Sequence, residues 1–562
     1  MRKRFCYILF SILILSGRSG LYAQYYDTGT DPATIRWNQI KGRHQAKLVF
    51  PDYMTSYAKI VNGYLDTVHT VIGHGFKMGK QRSFPVVLHT TNVLSNGMVV
   101  WAPRRMELGT LPPASTYAQP WIKQLAAHES RHVAQLNAIN GKTANALYYL
   151  LGEQIFGVIA LEVPGYFFEG DAVVAETQMA MFGRGVQPGF TIDYRAMVQD
   201  GGKFNMPMYR LGAINRNVPS VYHLGYQVTQ YASMKYGDSF WGDVMNYIAR
   251  RPYTILGGNF ALYKYGRTSS GKLIRETFSY LKEYWRESSS VPNSAVLIPT
   301  PVTSFTTYTY PQPLGDSLIV AMKSDLDRTN RLVVADRFTG SEKILHYTGY
   351  VTSRPILKGN TLYWTELVPS NFWGQRSYSA VRSTTLTEHH GTLHAGKVRN
   401  YRIRPGKGRL DARFFVTPIG DGEIAMIGYD PASVSYLLIT DTLFHEKRRF
   451  EVPGTGVSFN GLAWDADTRT LAGIINDNAG MWLCRFDPAD GSISRITDPS
   501  YVTLDNLSAE GGRLYFNSIA SGKDEAHLYD LRTGKEYRIS TSRYGSFAPV
   551  PAGGKEVAMT TY

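Results

Sequence analysis

Two histidines four residues apart, with a glutamate between them, carry the clearest chemistry in this chain. They lie in His128-Glu129-Ser130-Arg131-His132. On a helix, residues four apart share a face. The two imidazoles can then aim a nitrogen each at one divalent metal. Glu129 falls one step round the helix, where it can hold and deprotonate a metal-bound water. The H-E-x-x-H pattern is that of metal-assisted hydrolysis on zinc. The surrounding residues predict the helix it needs. Trp121, Leu125, His128, His132 and Leu136 recur at helical intervals, and no Gly or Pro interrupts them. A catalytic zinc takes three protein ligands and a water, so a third ligand must come from elsewhere.

Downstream stands Pro164-Gly-Tyr-Phe-Phe-Glu169-Gly170-Asp171-Ala-Val-Val-Ala-Glu176-Thr177. It resembles a segment of the gluzincin metallopeptidases, best known from the aminopeptidase N family, where an aromatic-rich N-E-G-F-A-x-x-x-E run follows the zinc helix. The resemblance implies that Glu169 is the third ligand and that Glu176 braces a metal-bound histidine. The residues themselves agree: Glu169, Val173 and Glu176 share a helical face, and carboxylates behind a metal site fix the tautomer of its imidazoles. The family also has a Y-x-K-G segment whose tyrosine stabilises the tetrahedral oxyanion. Tyr222-His223-Leu224-Gly225 is similar to it, with leucine at the lysine position. That implies Tyr222 as the oxyanion donor, with His223 a second candidate.

The chain departs from the family in two places. Between His132 and Glu169 lie 36 residues, about twice the family gap. They include the apolar insert Ala146 to Leu161, read as a buried helix or a lid, with membrane-surface docking as the lesser reading. The G-x-M-E-N motif that grips a substrate's free amine is missing. The corresponding strand, Gly97-Met98-Val99-Val100-Trp101, can pair with an extended peptide as a sheet edge, but offers no acid in that place.

The N-terminus reads as a secretory signal peptide over residues 1–23: Arg2 to Arg4, an apolar run from Phe5 to Leu15, then Leu21-Tyr22-Ala23. Its removal takes four basic residues and no acidic one, lowering the net charge from +15 to +11. The basic residues are scattered, which excludes a nucleic-acid-binding patch. Of the two cysteines only Cys484 remains after Cys6 is lost, so no internal disulfide can form.

Past Ser294 the texture changes to short β runs separated by turns. Six runs resemble one another, beginning at Leu318, Leu362, Ile424, Leu471, Leu514 and Val557. A period of ~40–50 residues with about four strands per unit is a propeller signature. A recurring Asp-to-Gly turn, at Asp336 to Gly340, Asp487 to Gly491 and Asp530 to Gly534, supplies the hairpin chemistry. This half resembles the TolB-like propellers. Gly315-Asp316-Ser317-Leu318 reads as a turn and not as a lipase motif, and no G-x-S-x-G occurs. The pairs Asp325/Asp327 and Asp465/Asp467 read as turn residues, not calcium ligands.

The expected fold class is therefore multidomain α+β. Residues 24–290 are a mainly helical gluzincin-like metallopeptidase domain with a small N-terminal β-sheet. Residues 291–562 are an all-β propeller, six-bladed with the last blade incomplete. The expected function is a secreted Zn2+ peptidase with Glu129 as general base, ligands His128, His132 and Glu169, and Gly97, Met98 and Val99 as the substrate-binding edge. The alternative is a non-catalytic envelope scaffold acting through its propeller. Expected partners are a peptide or protein substrate and an envelope protein, without nucleic acid or a mature transmembrane span. The expected location is the periplasm or outer surface of a Gram-negative-type envelope.

Overall fold

The computed structural model describes residues 31–562 except 45–46, 79–80, 102, 181–182, 203–204, 255, 287–303 and 403–411. The expected signal peptide and the Ser/Pro-rich stretch before the propeller lie outside the described residues. The first half opens with five strands: β1 (Trp37–Lys41), β2 (Lys47–Pro51), β3 (Val86–His89), β4 (Gly97–Trp101) and β5 (Arg104–Gly109). Their order is β1-β2-β3-β5-β4. Strands β2, β3 and β5 run parallel, and β4 closes one edge antiparallel to β5. Helix α1 (Thr55–Val71) makes the crossover from β2 to β3 and buries Tyr57, Ala58, Val61 and Leu65, spaced for one helical face.

Ten helices follow among the described residues. They are α2 (Trp121–Ile139), α3 (Lys142–Leu151), α4 (Ile155–Ala160), α5 (Phe167–Met179), α6 (Pro188–Gln199), α7 (Met206–Leu211), α8 (Val221–Tyr236), α9 (Phe240–Arg250), α10 (Gly257–Gly266) and α11 (Ser270–Tyr284). Helix α2 is the motif helix, and its burial on nearly every side explains its weak amphipathic pattern. It sits between the sheet, against Val86, Leu88 and Met106, and the helical core around Phe167, Trp241 and Met245. Proline at the first turn starts α6, and the Ser220 hydroxyl caps α8 by accepting from the Tyr222 amide at 3.2 Å. The whole chain is about 28% helical, so helix dominates only residues 121–284. No described helix is long and apolar enough to cross a membrane.

The second half is a β-propeller with five blades, not the six expected. The blades span Thr306–Tyr347, Val351–Arg402, Ala412–Glu451, Ser458–Arg495 and Leu504–Arg538; the second has five strands and the others four. Five of the six sequence repeats are the second strands of these blades. The sixth repeat contributes only the two-stranded hairpin Ser546–Pro551 and Val557–Thr561, wedged between the last and first blades. A repeat supplying two strands makes no blade, which is why counting repeats gave one too many. The Asp turns lie where expected. Asp336, Asp487 and Asp530 each accept a backbone N–H two residues on, and Gly340, Gly491 and Gly534 take positive φ.

The two halves share a core. The segment from Thr110 to Pro120, joining β5 to α2, runs into the propeller. Val93 and Leu111 pack in one apolar cluster with Phe459 and Ile475, and Ala118 packs with Leu504 and Leu507. Asn460 donates to the Thr116 carbonyl at 2.8 Å and accepts from its amide at 3.2 Å. Asn476 donates to the carbonyls of Tyr117 at 2.8 Å and Gln119 at 3.0 Å. Ser115 Oγ donates to the half-buried Asp505 at 2.7 Å. On the other side of the cleft, Tyr562 and Tyr544 donate to Asp193 and Asp200 near α6.

Candidate metal centre

Three candidate ligands converge in an open cavity of about 950 Å³. His128, His132 and Glu169 each offer an atom, and the three atoms lie within 4.8 Å of one another. The two Nε2 atoms are 3.2 Å apart. Glu169 Oε2 lies 3.3 Å from one and 3.4 Å from the other. Helix α2 supplies both histidines from one face. Helix α5 supplies Glu169 from its first turn, and two contacts lock it against α2. Arg131 grips Asp171 through Nε and Nη2, at 2.7 and 2.8 Å. Gln135 donates to the Phe168 carbonyl and to Asp171, both at 2.8 Å.

The outer nitrogens of both imidazoles face acceptors. His128 Nδ1 meets Glu176 Oε2, and His132 Nδ1 meets Gln135 Oε1, each at 2.8 Å. Arg184 Nη2 also lies 2.9 Å from His128 Nδ1, but a guanidinium only donates. Both groups therefore donate to the Glu176 carboxylate between them. With the Nδ1 atoms protonated, both Nε2 lone pairs point at the same place as Glu169. That donor set, two imidazoles and a carboxylate with a cavity on the fourth side, fits a catalytic zinc.

The charges follow from burial and pairing. Burial alone would raise Glu176, but Arg184 and His128 outweigh it and hold its carboxyl down at about 2. Burial would depress His132; Glu169 and Glu129 outweigh it and raise the imidazole to about 9. Glu169 is held low by both histidines against its own burial. Glu129 is raised, because burial outweighs the attraction of His132 and His128. Its Oε2 is buried with no partner among the described residues, so this carboxylate faces the cavity with acceptor capacity to spare.

The structure brings the predicted edge strand to the same place. Strand β4 is the last strand of its sheet, and Gly97, Met98 and Val99 line the cavity. A Cβ at Gly97 would stand 2.7 Å from Glu129 Cγ and Oε1. With glycine here the strand passes this carboxylate without displacing it. Tyr222 also lines the cavity beside Glu169; burial, then the Glu169 charge, push its phenol up to about 12. Its place depends on Gly170 and Gly225, where α5 and α8 touch so closely that a Cβ at Gly170 would overlap the Gly225 backbone at 2.1 Å. His223 lines the cavity too, with its ring 4.1 Å from the Phe190 ring and its pKa lowered by burial.

Sequence reasoning missed Arg184 and Gln135. Gln135 stands three residues after His132 on the same face, a detectable signal; Arg184 comes from a 3₁₀ turn after α5 and had none. It also missed Ser115, Thr116 and Tyr117, which line the cavity from the segment that enters the propeller. The apolar insert is buried only in part: it forms α3 and α4, Phe156 and Ile159 pack into the helical core while Tyr149, Leu150 and Leu161 are exposed, and Ala160 is its one residue lining the cavity among the described residues.

No family model matches the sequence, and no curated protein matches it. Solved structures do resemble parts of it. A puromycin-hydrolysing peptidase of Mycobacterium tuberculosis is 14% identical over 45% of this chain and 40% of its own, with a TM-score of 0.31. The β-propeller domain of the Trilobed protease of Pyrococcus furiosus is 14% identical over 44% of this chain and 88% of its own, with a TM-score of 0.28. TolB of Acinetobacter baumannii is 14% identical over 49% of this chain and 60% of its own, with a TM-score of 0.28. The chain thus spans less than half the length of the mycobacterial peptidase. Likenesses of this size carry no argument about chemistry.

Proposed function

We propose that this chain is a zinc-dependent peptidase of gluzincin type, with His128, His132 and Glu169 holding the ion. The observation that carries the reading is the convergence of those three ligand atoms within 4.8 Å in a large cavity. An ion bound there would polarise a carbonyl and acidify water. Glu129 takes the proton of the attacking water and returns it to the leaving amine; its raised pKa suits both directions. The Tyr222 hydroxyl donates to the oxyanion, with His223 the second candidate. The free edge of β4 pairs with the extended substrate.

The cavity also indicates the substrate's ends. The acids lining it are Glu129, Glu169 and Glu176 among the described residues, and each already has a role at the centre. None is left to hold a free α-amine. Arg184, the one arginine lining the cavity among the described residues, is committed to Glu176. The site therefore reads peptide backbone and not chain termini. Zinc content of the purified chain tests the reading: about one per chain in wild type, and most of it lost in His128→Ala and His132→Ala. Full occupancy in both variants refutes the site.

A further inference from the structure

The α3–α4 hairpin packs Phe156 and Ile159 into the core but leaves a second set of apolar side chains in solvent. Tyr149 is 84% exposed, Leu150 79% and Leu161 82%, and Leu151 and Val158 are about half exposed. The exposed face extends beyond the hairpin. The start of α3 abuts the end of α9: a Cβ at Gly141 would lie 3.0 Å from the Ala249 carbonyl. The end of α4 abuts the start of α10, where Glu162 accepts from the Gly257 amide at 2.5 Å. The segment linking α9 to α10 adds exposed Tyr253 and Leu256, and Phe260 and Tyr263 follow on α10.

The charges along this face are mostly basic: the hairpin carries the half-buried Glu153 and Glu162, and Glu162 is held by the Gly257 amide. From Val244 to Arg267 the chain carries Arg250, Arg251, Lys264 and Arg267 and no acidic residue. All four are exposed, and none has an acidic partner among the described residues. Three lie over tyrosine rings, Arg251 and Lys264 over Tyr247 and Arg267 over Tyr263. Exposed leucines, amphipathic tyrosines and unneutralised basic residues on one face are the composition of an interfacial segment. A two-fold contact between copies would set these like charges against each other. An anionic bilayer neutralises them while it takes up the apolar side chains.

We propose that α3, α4 and the adjoining residues 250–254 and 256–267 dock this chain onto an anionic lipid surface, peripherally and without a span. Ala160, at the end of α4, lines the cavity, so docking holds the candidate metal centre beside the membrane. The proposal does not depend on catalysis.

Co-sedimentation of the full chain with vesicles tests it. Binding is expected to phosphatidylcholine vesicles containing phosphatidylglycerol, weakening as salt is raised, and not to phosphatidylcholine alone. Arg251→Ala and Lys264→Ala should each weaken binding about fivefold. The combined Leu150→Ser and Leu161→Ser variant should lose it while keeping its circular dichroism. Absence of binding to the anionic vesicles at low salt overturns the proposal. So does binding indifferent to lipid charge, or a concentration-dependent dimer that the Leu150→Ser and Leu161→Ser variant dissolves, which would assign the face to a second copy.

Discussion

Glu176 Oε2 lies 2.8 Å from His128 Nδ1, and the Glu176 side chain is wholly shielded from solvent. Arg184 closes the arrangement, with Nε 2.7 Å from one carboxylate oxygen and Nη2 2.8 Å from the other. A charge buried this deeply is tolerated because it is paired on both sides. Its work is to fix which nitrogen of His128 carries the proton.

Glu176→Gln should therefore weaken zinc affinity by about 10–100-fold while the chain stays folded. Competition against a chelator of known affinity measures it. Unchanged affinity would reduce Glu176 to a packing role.

Gly97→Ala tests the approach of β4 to the proposed base. The added methyl would sit 2.7 Å from Glu129 Cγ and Oε1, so the carboxylate must move. Displacements of this size at a reacting group cost about 10–100-fold in rate. Zinc content should be unchanged, because Glu129 is not a ligand. Loss of metal together with activity would show that the strand supports the site and does not merely pass it.

The junction with the propeller should behave as one cooperative unit. Asn476→Ala strips donors from two buried carbonyls of the cavity-lining segment, at a cost of about 1–3 kcal/mol. Chemical denaturation followed by fluorescence should show one transition that moves as a whole. Two separated transitions, with only one of them shifted, would mean that the halves fold independently.

His89 supplies a pH dependence remote from the metal. Burial would depress its imidazole, but Asp31 at 2.9 Å and Glu107 at 3.3 Å outweigh burial and raise it to about 9. Glu107 is lowered to about 2, first by His89 and then by Arg105, against its burial. The His89 contribution, up to about 3 kcal/mol, is full below the unfolded imidazole value near 6.5 and is lost as pH rises through about 9. The Glu107 contribution is full above about 4.5 and is lost as pH falls through about 2. Denaturant midpoints across this range should fall at the alkaline end, and His89→Gln should flatten that fall. An unchanged alkaline slope in the variant would assign it to other groups.

What could be read in the sequence was what is local or periodic. The motif helix, the Glu169–Glu176 spacing, the edge strand at Gly97 and the propeller period each follow from residues close together in the chain. The contact of Gly170 with Gly225, the reach of Arg184 to Glu176 and the entry of Thr116 between Asn460 and Asn476 join residues from 8 to 360 positions apart. Such contacts leave no periodic trace. The blade count failed for a related reason: a repeat marks a second strand, and says nothing of whether a third and fourth follow.

The most direct test is hydrolysis of a blocked peptide by zinc-loaded chain, wild type against Glu129→Gln. The substitution keeps size and hydrogen bonding and removes the base. Zinc should stay bound in both proteins, and the rate should fall by about 10²–10⁴-fold. A variant that cleaves as fast as wild type, or a zinc-loaded wild type that cleaves no peptide with free or blocked ends, would contradict the account.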